Sequence, residues 1–124
     1  MRQIKFRGFN AKNTKWLNGS HIINRGKHFV APDEFADGKT WEDYEVEEES
    51  IGQFTGLHDA NGIEIFEGDL LLSFENSEVF EVVYDAPRFC FKDNDFGFRF
   101  LNHPENFLVC GNVYDAPKEG GKEE

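Results

Sequence analysis

The sequence predicts a mainly β protein built from small antiparallel sheets. Apolar residues alternate with polar ones over short runs, and turns rich in Asn and Gly separate those runs. Phe stands out among the aromatics, with 14 copies against 3 Tyr and 2 Trp. Aromatic side chains favour strands and bury large areas, so a short chain that relies on them is building a thin β core. A length of 124 residues gives one domain, or two small subdomains sharing a core.

The elements follow in order. From Gln3 to Phe9 the chain alternates, with Ile4, Phe6 and Gly8 on one side and Lys5, Arg7 and Phe9 on the other, which is a strand. Phe6, in phase with Ile4, is assigned to the core. Asn10 to Asn13 is a turn. Lys15-Trp16-Leu17 restarts an apolar stretch that Asn18-Gly19-Ser20 is expected to break. His21 to Ile23 is a short strand, Asn24 to Gly26 a turn, and Lys27 to Ala31 a further strand. Residues 1–31 therefore form an antiparallel meander. An irregular acidic segment completes an N-terminal unit over residues 1–50. Asp33 to Gly38 is expected to make one helical turn closed by Gly38. Glu45 to Glu49 sets four acids around Val46 and reads as a solvated face.

Ile51 to Phe54 begins the second part as a strand. Asn61-Gly62 suits a turn that needs positive φ, and so a hairpin-like connection. Glu67-Gly68-Asp69 is a second tight turn, feeding a strand from Leu70 to Phe74. Glu75 to Ser77 turns the chain again, and Glu78 to Tyr84 alternates. Arg88–Phe91 and Phe96–Phe100 form a hairpin about Asp93-Asn94-Asp95. Phe89 and Phe91 share one face of its first strand; Phe96, Phe98 and Phe100 share one face of its second. Phe107 to Val113 is the last strand, and residues 118–124 are taken as a disordered, charged tail. Val83-Tyr84-Asp85-Ala86-Pro87 recurs at Val113 to Pro117, too short an echo for a duplicated domain. Each copy ends a strand, because Pro blocks the ladder.

Charge is uneven. Residues 1–41 hold eight Lys/Arg and three acids, and residues 42–124 hold five and twenty-one, within a formal net charge of -11. The acidic majority disfavours duplex nucleic acid. Opposite charges complementing each other inside the fold, or across a subunit interface, account for the split. No apolar run is long enough for a bilayer, and Met1 to Arg7 has no leader-like apolar core. The expected location is the cytoplasm, with Cys90 and Cys110 reduced and packed as small hydrophobes.

Catalytic chemistry is hard to assemble from these residues. His58-Asp59 is half of a metal pair, but His21, His28 and His103 stand in no ligand spacing. Asp93-Asn94-Asp95-Phe96-Gly97 begins like a calcium loop, yet Gly97 fills its fifth position and Pro104 its twelfth. Ser20 and His21 are strand neighbours and so face opposite ways. No phosphate-cradling Gly loop exists. The expectation is no catalytic residue, no metal and no cofactor. One binding surface is a candidate: Arg2, Lys5, Arg7, Lys15, Arg25 and Lys27 interleaved with Phe6, Phe9 and Trp16, a pattern that suits single-stranded nucleic acid.

The run from Gln53 to Leu71, QFTGLHDANGIEIFEGDLL, resembles the signature of the YopX family, with Thr55-Gly56-Leu57, Asn61-Gly62 and Gly68-Asp69 in order. The opening IKFRGFN and the closing CGNVYDAP, which holds Gly111 and Asn112, resemble its two ends. The resemblance runs from about residue 2 to residue 117. It implies a phage- or prophage-encoded protein with an SH3-like barrel subdomain over residues 51–117 and a more irregular N-terminal part. It carries no established activity and no catalytic residues. The signature glycines also have a structural account as turn formers, and Asp69 as an acceptor for turn amides. The expected function is a non-enzymatic binding module with a phage or host protein as partner, or a homo-oligomer. The alternatives are nucleic-acid binding through the basic N-terminal strands, and an enzyme whose site gathers His58 or His103 with carboxylates.

Overall fold

The computed structural model describes residues 4–85, 88–93, 97–100 and 103–114. Among these the protein is mainly β, with three short 3-10 turns and no α-helix. Two units can be separated: residues 4–53 with Tyr114, and residues 54–113.

The first unit is the meander that alternation predicts. Strands β1 (Phe6–Asn10), β2 (Lys15–Asn24) and β3 (Lys27–Ala31) pair antiparallel in turn. A two-residue β4 (Glu45–Val46) pairs with β3, and the start of β5 (Gly52–His58) pairs with β1 at Arg7 and Phe6. The order is β4-β3-β2-β1-β5. Phe6 is half-buried against the His21 ring, whereas Ile4 lies exposed before β1 and is not core.

Three sequence expectations are corrected here. Asn18-Gly19-Ser20 does not break the chain, because β2 runs through it as one strand of 10 residues. Gly19 pairs with Phe6 of β1 while Ser20 pairs with Ala31 of β3, so the strand changes partner at this point. A Cβ on Gly19 would lie 2.3 Å from the Ala31 carbonyl oxygen, so any side chain there would force that backbone to shift. Asp33 to Gly38 is not helical either. Gly38 ends a turn in which Lys39 N donates to Ala36 O, and the helical turn falls later, at Trp41–Tyr44. Asp43 draws it there, since Asp43 Oδ2 accepts from the Thr40 amide at 3.0 Å at the turn's entry. Nor is Glu45–Glu49 wholly solvated: Val46 is buried, with its Cβ 2.8 Å from where a Gly8 Cβ would stand.

In the second unit β5 continues from Phe54 and pairs with β6 (Glu64–Phe66). Strands β7 (Asp69–Ser73), β8 (Val79–Asp85), β9 (Arg88–Asp93), β10 (Gly97–Phe100) and β11 (Phe107–Asn112) form an antiparallel sheet of order β10-β9-β8-β7-β11. Its inner face buries Leu71, Phe80, Val82 and Phe107 with Ile65, and Leu57, Phe91 and Val109 pack against that cluster. The Phe80 and Phe91 rings meet edge to face at 5.1 Å. Each such side chain contributes about 1.5–3 kcal/mol on burial, so a few rings hold this thin layer. The strand order is linear, and among the described residues neither sheet closes into a barrel. The SH3-like detail therefore stays an expectation. The hairpin tip at Asn94 to Phe96, the Ala86-Pro87 and Asp115-Ala116-Pro117 segments of the echo, Arg2 and the tail 118–124 lie outside the described residues.

Candidate functional site

The signature residues of the second unit stand at turns and register shifts of the backbone. Gly56 has φ 87°, and the β5–β6 register shifts between Phe54 and His58. Thr55 spans the resulting gap: its Oγ1 donates to Ile65 O at 2.8 Å and accepts from Leu57 N at 3.1 Å. Gly62 takes φ 82° in the turn after β5. Asp59, for which the residue spacing offers no metal partner, organises that turn. Its Oδ1 accepts from the amides of Asn61 and Ile63, and its Oδ2 from Val109 of β11. Gly68 has φ 92° and Asp69 is 1% exposed, its Oδ2 accepting from the Phe66 amide at 2.7 Å. Gly111 and Asn112 pair with Leu70 and Asp69, and Val113 N donates to Gly68 O at 2.7 Å. Near and far ends of the signature thus meet along β7 and β11.

Asp59 is buried, which by itself would raise its pKa; the three backbone donors outweigh this and hold it below the usual carboxylate range. Its neighbour His58 is exposed, with its ring edge against Phe54. Among the described residues no group of His, Cys, Asp and Glu is disposed to hold a metal. His103 lies in the second unit, 3.3 Å from Glu105 and exposed.

The described basic residues of the first unit stand in different settings. Arg7 lies over the Trp16 ring at 5.1 Å, and Trp16 also packs against Phe9 and Tyr114. Lys5 is half-buried, Lys15 is exposed opposite Asn10, and Arg25 sits in the β2–β3 turn at φ 55°. Lys27 reaches a cavity of about 300 Å³ whose other walls are Asn10, Ala11, Lys12, Glu42, Glu45 and Glu47. Lys12 Nζ stands 3.4 Å from both Glu42 and Asp43. The amide of Thr40 and the side chain of Asn13, with Lys12, bring the Asp43 pKa down to about 2. Glu42 and Asp43 therefore lie against Lys12, and Glu45 and Glu47 share a cavity with Lys12 and Lys27.

One arrangement escaped the sequence reading. His21 and His28 stack across β2 and β3 with ring centroids 5.2 Å apart and planes 17° from parallel. His21 Nε2 is 2.9 Å from His28 Nδ1, and His28 Nε2 is 3.7 Å from Glu48. Hairpin spacing carries the signal: Asn24 pairs with Lys27 and Ile23 with His28, which places His21 diagonal to His28 on one face.

Cys110 is exposed, not packed as expected, because it is the extra residue at the β11 register shift between Val109 and Gly111; its Sγ donates to Leu70 O. Cys90 is buried. The outer face of the five-stranded sheet is unusually apolar. Leu72 is paired with Val79 on one side and Leu108 on the other, so the three share that face. Val79 is 51% exposed and Phe74, first residue of the following turn, is 56% exposed. Farther along the same face Val83 pairs with the buried Cys90, so the open part is the end where β7 turns into β8.

These features define a small two-unit β protein whose marked residues shape turns and sheet edges. The model of the YopX protein family matches residues 5–119, and the chain belongs to that family. It is also similar to a solved structure, the crystal structure of protein EF1440 from Enterococcus faecalis, at 24% identity and a TM-score of 0.57. The match covers 91% of this chain and 94% of that one, a likeness of fold. No curated protein matches the chain. Among the described residues no helix is long and apolar enough to cross a membrane.

Proposed function

We propose that this YopX protein is a non-enzymatic binding module that associates with another protein, in the phage or prophage setting that the resemblance implies and in the host cytoplasm. The observation that carries the reading is the open end of the outer sheet face. Phe74 and Val79 are more than half exposed there, beside the half-buried Leu72 and Leu108. An antiparallel sheet that faces water ordinarily alternates to polar side chains on that face. Contiguous exposed apolar side chains with a polar rim are the usual mark of an association surface. A nucleic-acid role through the N-terminal strands is supported less, since Arg7 stacks on Trp16 and Lys12 and Lys27 share a cavity with three glutamates.

Affinity capture from host cells tests this, with each sample split and one half treated with nuclease. The native chain and a Phe74→Ser, Val79→Ser variant are compared. The expected result is a protein that survives nuclease with the native chain and is lost with the variant. Material that vanishes with nuclease would overturn the reading in favour of nucleic acid. A partner kept by the variant would move the surface elsewhere.

A further inference from the structure

We infer that the partner segment seated on this face is cationic and amphipathic, apolar side chains on the sheet and Lys or Arg against its border. The inference rests on the protein-association reading above and adds the chemistry of the occupant. Four glutamates stand about the apolar end. Glu75 follows Phe74 and Glu78 precedes Val79 in the β7–β8 connection, and both are exposed. Glu81 shares the outer face, paired with Leu70. Glu105 is exposed in the 3-10 turn whose Asn106 carbonyl accepts the Phe74 amide. Against them stand Lys92, paired with Glu81 across β8 and β9, and His103, beside Glu105. Residues 54–113 as a whole carry eleven Asp/Glu and three Lys/Arg.

Charge complementarity selects the occupant. A second copy related by a two-fold axis would lay this acidic border on its own image, and like charges across an interface are costly. A segment with cations flanking an apolar stripe meets Glu75, Glu78 and Glu81 while covering Phe74, Val79 and Leu72. The field of the unit steers it in, and the exposed pairs add register and a modest share of the affinity.

Two synthetic amphipathic peptides provide the probe, one of Leu and Lys and one with Glu in place of every Lys. Amide chemical shifts of the full chain are followed at low and high salt. The Lys peptide is expected to shift Leu72, Phe74, Val79 and Glu81, to weaken with salt, and to lose roughly fivefold to tenfold in affinity on Glu78→Lys with Glu81→Lys. The Glu peptide is expected to leave those amides unmoved. Equal binding of both peptides, shifts confined to other residues, or no binding of the Lys peptide overturns the inference. So does concentration-dependent self-association mapped to the same amides. The two readings fail separately: a captured protein that is lost with Phe74→Ser, Val79→Ser but indifferent to Glu78→Lys with Glu81→Lys leaves the surface standing and removes its cationic occupant.

Discussion

The Asp59 carboxylate accepts the Val109 amide at 2.9 Å across 50 residues of sequence. One position on, Ala60 N donates to Phe107 O at 3.0 Å. Both β11 groups point away from β7, so the 59–63 turn occupies backbone positions of an edge strand that would otherwise be open to pairing.

Asp59→Asn should therefore destabilise the second unit by about 1–3 kcal/mol, since the amide cannot accept from all three donors. Denaturant unfolding measures this. The folded pKa is depressed, so the charge contributes stability above the ordinary carboxylate pKa and loses it as pH falls toward the folded value. The variant should show a shallower acid loss than the native chain. An unchanged acid limb would mean that the three amides do not depend on the charge.

Asn10 is 1% exposed and ties three segments together in the first unit. Its Nδ2 donates to Glu42 O and Glu45 O, and its Oδ1 accepts from Asn13 N. Asn10→Ala should cost on the order of 2–3 kcal/mol by leaving those groups without partners. Asn10→Asp should be worse at neutral pH, because a carboxylate would face two carbonyls, and the difference should narrow on acidification. Thermal unfolding at two pH values separates the cases.

The two close-packed glycines of the meander should behave differently. Alanine at Gly8 would press on the Val46 side chain, whereas alanine at Gly19 would press on the Ala31 backbone. Each substitution should cost about 1–3 kcal/mol. Val46→Ala should rescue part of the Gly8→Ala loss, with a coupling of about 0.5–3 kcal/mol in a double-mutant cycle. No side-chain change at position 31 should rescue Gly19→Ala, since the obstacle is a carbonyl oxygen.

These residues also mark where the sequence was legible. Alternation located the strands, Gly62 announced a positive-φ turn and Gly68 a tight one, because those needs are local. Gly19 looked like a breaker, since a sequence does not display the Ala31 carbonyl that approaches it. Asp59 and Val109 are invisible to each other for the same reason, so the sequence leaves Asp59 without a role, whereas its carboxylate serves the backbone. The apolar outer face was readable only after pairing, because Leu72, Val79 and Leu108 come from three separate strands. The Cys110 bulge left no composition signal at all.

The His21–His28 pair should make the stability of the first unit depend on pH. Burial, then the neighbouring His28, lowers the His21 pKa from its ordinary value, with Glu48 opposing. Below the unfolded value the unfolded chain binds more protons than the folded one, so stability is present above about pH 6.5 and falls as pH drops below it. One N–H can bridge the two rings at 2.9 Å, whereas two protonated rings would set like charges face to face. His21→Gln should keep one donor and one acceptor and remove most of the slope. Glu48→Gln should steepen the loss, because it removes the charge that offsets protonation. Melting temperatures between pH 8 and pH 5.5 read both. A native slope of zero in that window, or a His21→Gln slope equal to the native one, would mean that the rings share no proton, and their stacking would then be packing alone.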